Sequence, residues 1–467
     1  MIANYPISVV LDNTGQVGRS RVGHWLGNLS ASVVALFLLS ANWEGGAQAQ
    51  PPVSGAEQEA AVSSLAELIE DRFFDRGRGQ EIADGLRRAQ AHGELSGSSN
   101  ALEFADAVTQ LLSASDRHFA VEFVGPELAE AMLAERDLGE PVDASSARLA
   151  GMRRSNFRFT KVEILPGNVG YIEFTGFAPI GVAEETARAA LGFVGNADAI
   201  IVDLRNNRGG SPSMVQYLVS HFLEPGGGTL INTFVSRNSD EAEEMWSLDS
   251  HPAGHRPGTP VFVLTSPRTI SAAEAFPYHL QALNRGTIVG EVTYGAGNPG
   301  ETFVIDEGYS IFISTGSARN PITGTNWEGV GVQPDIVVPS NSALDRAIAE
   351  AYSMLAERAA DERVRRMYTW SAEEIMARLN PIALNSEALE TYVGNFGQRR
   401  IWVADGQLTY QREGREPNDL IPLGDHRFMF ADDNAYRLVF RMNESGIVEA
   451  MDLQAIDGQV VENRIVH

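Results

Sequence analysis

Two glycine- and serine-containing segments of the sequence carry residue types that acyl-transfer chemistry uses. The first, Asp203 to Pro212, contains the pair Gly209-Gly210 directly after an apolar run. Glycines at such a corner let backbone N–H groups approach an anion, as in an oxyanion hole, although a plain tight turn has the same pattern. The second segment places Ser271, followed by Ala272, where an apolar run leads into a helix. A serine there is either a nucleophile at a positive helix end or an ordinary N-cap.

Two further segments carry a histidine and a glutamate. His118 lies in the run from Ser113 to Phe119. Histidine is the usual base for a serine nucleophile, but a lone histidine is more often structural. Glu328 lies in a Gly- and Pro-rich run, residues 326–335, where a carboxylate either orients a catalytic partner or faces solvent. Taken separately, each segment leaves both interpretations open.

Together, and in this order, the segments resemble the carboxyl-terminal (tail-specific) processing peptidase family. The blocks that carry the resemblance are Asp203-Leu204-Arg205-Asn206-Asn207-x-Gly209-Gly210, Thr269-x-Ser271-Ala272-x-Glu274 and Gly329-x-Gly331-Val332-x-Pro334-Asp335. The resemblance covers about residues 60–340. It implies a crotonase- and Clp-protease-like α/β core that hydrolyses peptide bonds with a serine nucleophile.

One departure from the family pattern concerns the general base. The best-known branch pairs the serine with a lysine in a Phe-Gly-Lys-Gly-like loop. The corresponding loop here is residues 293–298, and Ala296 stands at the lysine position, where it cannot take a proton. Lys161, the only lysine of the chain, is distant in sequence. The pattern is more similar to the branch that resembles interphotoreceptor retinoid-binding protein and the tricorn core, in which a histidine activates the serine.

That resemblance implies a role for each candidate residue. Ser271 is the expected nucleophile, His118 the base and Glu328 the orienting carboxylate. Arg117 stands beside the histidine where tricorn has a serine. The resemblance also implies an oxyanion hole formed by Gly209 or Gly210 together with the Ala272 N–H. No metal or organic cofactor is required by this chemistry.

Composition removes several other function classes. The chain has no cysteine, which excludes a thiol nucleophile, a disulfide framework and a Cys-rich zinc site. Its 36 basic and 61 acidic residues give a net charge of −25, which argues against nucleic-acid binding. We therefore expect a peptide or protein substrate and no nucleic-acid partner, and the oligomeric state stays open.

Apolar periodicity predicts the elements that position these residues. Residues 50–150 are expected to form an N-terminal helical domain, built as a small three-helix bundle. Residues 151–345 alternate strands and helices, which predicts the serine peptidase core as an α/β domain with a largely parallel sheet. Residues 346–380 read as a helical connector and 381–467 as a separate antiparallel β domain.

The N-terminus has the pattern of a secretory signal, assigned to residues 1–49. Arg19 and Arg21 precede an apolar run at 33–39, and Ala47-Gln48-Ala49 follows it. Cleavage after Ala49 and a periplasmic or secreted location are expected. The alternative is a retained anchor, which would be the only contact with a membrane.

The sequence thus predicts an exported serine peptidase that cleaves unstructured or C-terminal segments through a Ser-His-Glu arrangement. The rival hypothesis is a non-catalytic module that binds apolar ligands on the same core. Hydrolysis of esters or other acyl substrates would use the same residues.

Overall fold

The computed structural model describes residues 51–137, 146–237 and 241–465. The predicted signal, residues 1–49, lies outside these ranges. Among the described residues, no helix combines the length and the apolarity needed to span a bilayer.

Three helices come first in the described chain, helices and strands are interspersed up to residue 390, and the remainder consists of strands. The helices are α1 (Gly55–Arg72), α2 (Arg76–Ala91), α3 (Ala101–Ser113), α4 (Pro126–Asp137), α5 (Ser146–Arg154), α6 (Ile180–Phe193), α7 (Pro212–His221), α8 (Ala272–Ala282), α9 (Ala343–Arg358), α10 (Glu362–Leu379) and α11 (Ser386–Glu390). The strands up to residue 340 are β1 (Ala120–Phe123), β2 (Phe159–Leu165), β3 (Val169–Phe174), β4 (Ala199–Asp203), β5 (Leu230–Ser236), β6 (Glu243–Trp246), β7 (Val261–Thr265), β8 (Thr287–Gly290), β9 (Gly300–Ile305), β10 (Tyr309–Ser314), β11 (Gly316–Arg319) and β12 (Ile336–Val337). The later strands are β13 (Gly394–Phe396), β14 (Arg399–Ala404), β15 (Gln407–Arg412), β16 (Asn418–Gly424), β17 (Arg427–Phe430), β18 (Tyr436–Met442), β19 (Val448–Ala455) and β20 (Val460–Arg464).

A six-stranded mixed sheet forms the centre of the molecule, in the order β12-β8-β7-β4-β3-β2. The outer strand β2 is antiparallel to β3, and the other neighbours are parallel. The expected α/β core with a largely parallel sheet is confirmed. Because β4 and β7 are parallel neighbours, the loops at their carboxyl ends meet at one edge. Those loops carry Gly209 and Ser271.

Helices cover both faces of this sheet. Alternate residues of β4 point to opposite layers: Ile200 and Val202 pack with α6, α7 and α8, whereas Ala199 and Ile201 pack with α9. This two-sided burial explains why β4 is a continuous apolar run in the sequence. The region predicted as a connector, 346–380, is therefore part of the core layer, with α9 and α10 separated at residues 359–361.

The N-terminal helices do not have a hydrophobic core of their own. Phe104 and Leu65 belong to one buried cluster with Phe303, Ile311 and Ile313 of the β9–β10 hairpin. Strand β1 also pairs with β10. The helices expected to form an N-terminal domain at 50–150 bury their apolar faces on strands that lie within 151–345. This packing fixes the segment between α3 and β1 against the central domain.

The C-terminal residues form the antiparallel domain that the sequence predicts. Its eight strands, β13 to β20, are neighbours in chain order. Leu389 of α11, Tyr392 and apolar residues of the strands fill its separate core. Arg437, with 1% of its side chain exposed, pairs with Glu373 of α10 and donates to the Trp370 carbonyl, which attaches this sheet to α10.

Candidate active site

Ser271 occupies the sharp turn between β7 and α8. Its backbone φ of 60° and ψ of −122° lie in a region that residues other than glycine rarely adopt. The turn is held on both sides: the Ser271 N–H donates to Glu274 Oε2 at 2.8 Å, and the Ile270 N–H donates to the Asn207 carbonyl at 3.1 Å. A strained strand-to-helix turn that presents a hydroxyl at a helix N-terminus suits a nucleophile.

The carboxylate of Glu274 holds this turn in place through hydrogen bonds. It is fully buried and accepts hydrogen bonds from the N–H groups of Ser271, Gly295 and Ala296 and from the Thr293 hydroxyl. Burial raises its pKa to about 7, although each of these hydrogen bonds favours the carboxylate form. Ala296, which the resemblance places at the lysine position, contributes only its backbone here. Glu274 lies in one of the motif blocks but was not among the predicted site residues. A serine followed three residues later by glutamate is nevertheless the signature of a capping box.

The glycine corner lies directly against the Ser271 turn. Gly209 and Gly210 have φ values of 94° and 137°, which favour glycine. A Cβ atom at Gly209 would come within 2.8 Å of the Ser271 Cβ and within 2.7 Å of the Ile270 carbonyl oxygen. A Cβ atom at Gly210 would lie 2.2 Å from the Phe177 carbonyl oxygen. Only glycine fits at either position.

The two glycines differ in what their N–H groups do. The Gly209 N–H donates to Asn207 Oδ1 at 2.9 Å and is therefore engaged within the corner. Within the described part of the chain, the N–H groups of Gly210 and Ala272 donate to no other atom. Gly210 and Ala272 also line one cavity with Ser271. Of the three expected oxyanion donors, Gly210 and Ala272 are available, and Gly209 supports the corner.

His118 reaches the same cavity from the segment between α3 and β1. Its backbone N–H donates to Asp116 Oδ1 at 2.9 Å, and its ring stacks on Phe312 with 5.3 Å between centroids. Both ring nitrogens are buried and have no hydrogen-bond partner among the residues described. Burial lowers the pKa of His118 to about 4, against the opposing charge of Asp116. The ring is thus neutral at pH 7 and can accept a proton.

Two carboxylates flank this imidazole. One side-chain oxygen each of Asp116 and Glu328 and one ring nitrogen of His118 lie within 4.8 Å of one another. Asp116 is 3% exposed, and its Oδ2 accepts from the Asn298 side-chain amide at 3.0 Å. Burial and the charge of Asp116 both raise the pKa of Glu328. His118 and Glu328, which were expected to act together, therefore lie close to each other, and Asp116 is a second acid beside the same imidazole.

These three groups also have the donor composition of a metal site, but their oxygen atoms are already engaged. The Arg117 N–H donates to Glu328 Oε1 at 3.0 Å, and the Gly297 N–H donates to Glu328 Oε2 at 2.6 Å. Both oxygens of Asp116 likewise accept hydrogen bonds. Carboxylates anchored in this way beside a free imidazole suit a base and its orienting acids.

The only lysine lies away from this cavity. Lys161 is on the outer strand β2, with 54% of its side chain exposed, and pairs with Glu163. Strand β2 is three places from β7 in the sheet, or roughly 14 Å at the usual strand spacing. Asp203, the first residue of the glycine-containing motif and the last of β4, accepts hydrogen bonds from Tyr171 and Arg205. These hydrogen bonds stabilise the end of β4.

The sequence is similar to known peptidases over part of its length. A model of peptidase family S41 matches residues 168–338. Carboxyl-terminal-processing peptidase 2 of Arabidopsis thaliana chloroplasts is 28% identical over 193 residues, which cover 39% of this chain and 35% of that protein. The carboxyl-terminal-processing protease of Synechocystis sp. is 29% identical over 174 residues, covering 37% and 39%. The chain thus spans well under half the length of these curated relatives.

Solved structures also match at low identity. The photosystem II D1 C-terminal processing protease matches with a TM-score of 0.39 and 14% identity, covering 61% of this chain and 94% of that chain. The tricorn protease matches with a TM-score of 0.39 and 12% identity, covering 69% and 37%.

Proposed function

We propose that this chain, which belongs to peptidase family S41 through residues 168–338, hydrolyses peptide bonds with Ser271 as nucleophile. The observation that carries the proposal is the convergence of four groups on one cavity. Ser271, His118, Gly210 and Ala272 all line it, although they come from three separate segments of the chain. A nucleophile, a neutral base and two unengaged N–H donors are the parts that acyl transfer requires.

The first step is attack by the Ser271 hydroxyl on a peptide carbonyl. His118 takes the hydroxyl proton as the new C–O bond forms, and the carbonyl oxygen becomes an oxyanion. The N–H groups of Gly210 and Ala272 stabilise that charge, and removing one such donor typically costs about 3 kcal/mol of transition-state stabilisation. His118 then gives the proton to the leaving amine, and water releases the acyl group from Ser271.

The flanking carboxylates stabilise the imidazolium ion that His118 becomes during this step. Burial makes a protonated His118 costly, and a nearby negative charge offsets part of that cost. Asp116 supplies such a charge, and the Glu328 side chain lies within 4.8 Å of the same imidazole. Both are held by hydrogen bonds from neighbouring groups. This supports the Ser-His-Glu arrangement, with Asp116 added to the supporting acids.

The substrate we propose is an unstructured or C-terminal peptide segment. The proposal draws on the names of the curated relatives, which are carboxyl-terminal-processing peptidases. Hydrolysis of esters or other acyl groups would use the same residues. We also propose that the core is crotonase- and Clp-protease-like and that the histidine branch of the family is the nearest in mechanism. Export to the periplasm or medium, supported by the pattern of residues 1–49, is part of this proposal.

A second candidate function is binding of an apolar ligand without catalysis. The observation that favours it is the apolar lining of the cavity, which includes Val215, Phe234 and Met245. On this hypothesis Ser271 would be a helix cap, and its strained backbone would not serve to present a nucleophile.

A serine-directed fluorophosphonate and an unstructured protein such as casein separate these candidates. We expect the chain starting at residue 50 to be labelled and to digest casein. Ser271→Ala is expected to lose both activities, and His118→Ala to reduce both by about 10²-fold or more. His426→Ala, at an imidazole of the C-terminal sheet, is the matched control and should behave as wild type. Equal labelling of wild type and Ser271→Ala contradicts the nucleophile assignment, and a co-purifying apolar ligand without hydrolysis favours the binding function.

A further inference from the structure

The cavity beside Ser271 extends into the core as a pocket for a side chain. The centre of a water-sized sphere can occupy about 50 Å³ of this cavity, which is room for more than one water molecule. Apolar residues form most of its wall, among them Phe234, Met245, Phe312 and Trp327. No lysine, arginine, aspartate or glutamate lines it within the described ranges. A bound side chain is therefore expected to be uncharged, because a charge would be desolvated without a partner.

Two polar side chains interrupt this apolar wall, and both are almost fully buried. Asn232 of β5 and His279 of α8 are each 1% exposed and line the cavity. Asn232 Oδ1 and His279 Nε2 have no hydrogen-bond partner anywhere in the described chain. Buried polar atoms are normally satisfied, so two unsatisfied atoms on one cavity indicate a ligand that completes them.

The hydrogen-bonding sense of each atom follows from its surroundings. The Asn320 side-chain amide nitrogen lies 3.1 Å from His279 Nδ1 and donates to it. Burial lowers the pKa of His279 to about 3, so the ring is neutral and its single proton is on Nε2. His279 Nε2 is thus an unused donor, and Asn232 Oδ1 is an unused acceptor. The pocket offers one donor and one acceptor inside apolar walls.

We infer that this pocket binds the side chain of the residue that supplies the scissile carbonyl, and that it selects glutamine. The inference rests on the proposed peptidase function. Two methylene groups of glutamine would pack on the apolar wall. Its carbonyl oxygen would accept from His279, and its NH₂ group would donate to Asn232. Methionine has a similar length and volume but satisfies neither atom, and glutamate has the same shape but carries a charge.

The test uses three unstructured peptides that differ only at this residue: glutamine, methionine or glutamate. The measurement is kcat/KM for cleavage after that residue, with products identified by mass spectrometry. In wild type we expect the glutamine peptide to exceed the methionine peptide by about ten- to a hundredfold, because methionine leaves two buried groups unpaired. The glutamate peptide should be the poorest substrate.

Variants assign the preference to the two polar side chains. In Asn232→Leu and in His279→Phe, the glutamine-to-methionine ratio should fall to about one or invert. Asn395→Leu replaces an exposed asparagine of β13 in the C-terminal sheet and is the matched control for Asn232→Leu, so it should leave the ratio within about twofold of wild type. Each variant is first labelled with fluorophosphonate, so a ratio is compared only between chains that retain a working Ser271.

The outcomes separate this inference from the function on which it rests. A wild-type chain that cleaves the methionine peptide as fast as the glutamine peptide overturns the inference and leaves the peptidase function standing. So does an active, labelled chain that leaves the glutamine peptide intact. A wild-type chain that is neither labelled nor active on casein contradicts the proposed function, and the pocket assignment falls with it. The comparison in wild type decides the matter even if both variants fail to fold.

Discussion

The buried position of His118 predicts an unusually acid-tolerant active site. A free histidine has a pKa of about 6.5, and burial lowers that of His118 to about 4. With the ordinary pKa, the neutral fraction would fall from about 0.76 at pH 7 to about 0.03 at pH 5. With a pKa of about 4, about 0.9 of the rings remain neutral at pH 5. Because only the neutral ring can take the serine proton, activity at pH 5 should stay near its value at pH 7.

The assay is the second-order rate constant for fluorophosphonate labelling of Ser271 between pH 4 and 8. Glu274, whose pKa burial raises to about 7, titrates in the same interval. The variant Glu274→Gln lacks that titration and serves as the matched control. We expect its rate constant at pH 5 to be about 0.9 of that at pH 7, with the acid limb near pH 4. A fall of about twentyfold at pH 5 in both wild type and Glu274→Gln would refute the reasoning.

The same pKa shift has a consequence for stability. The folded chain binds the His118 proton less readily than the unfolded chain, so protons favour unfolding between the two pKa values. The contribution of His118 to the free energy of unfolding is therefore lost as pH falls from about 6.5 towards about 4.

In Asp116→Asn, loss of the charge that opposes the lowering of the His118 pKa should move the acid limb of the labelling profile to a lower pH.

Three further predictions concern strain, packing and the C-terminal sheet. Ser271→Gly should be more stable than Ser271→Ala by about 1 kcal/mol in chemical unfolding, because glycine relieves the φ of 60°; both variants should lose labelling, and equal stability would show that the turn is unstrained. Gly209→Ala should slow labelling by about 10²-fold or more, because its Cβ would lie 2.7 Å from the Ile270 oxygen; an unchanged rate contradicts the close approach. Arg437→Ala should destabilise the chain by about 3 kcal/mol, because it removes a buried side chain that donates to the Trp370 carbonyl and to Asn434 Oδ1, with the labelling rate within twofold of wild type; unchanged stability contradicts a structural role for this side chain.

Much of the central domain could be predicted because its sequence signals are local. The apolar runs at residues 169–174 and 261–265 of the sequence coincide with β3 and β7, and the run at 199–204 extends one residue beyond β4. The similarity expected from the ordered motif blocks agrees with the match of a peptidase family S41 model to residues 168–338. The glycine corner and Ser271 also follow from sequence, because strand ends and helix starts carry strong residue preferences.

What could not be predicted depends on contacts between distant segments. Nothing local to α1–α3 indicates that their apolar faces pack on the β9–β10 hairpin, about 200 residues further along the chain. The same applies to the pocket, where Asn232 and His279 come from separate elements and each looks unremarkable in sequence. The choice of Gly210 over Gly209 depends on one side-chain contact, from the Gly209 N–H to Asn207. That contact is a matter of three-dimensional geometry.

The identity of the labelled atom is the most direct test of the central claim. Wild-type chain treated with fluorophosphonate is digested, and the adduct is located by tandem mass spectrometry, with His118→Ala treated in parallel. We predict a single adduct on Ser271, formed at least about 10²-fold more slowly in His118→Ala. An adduct on another residue, or an equal rate in the two proteins, would contradict the assignment of Ser271 as nucleophile and His118 as its base.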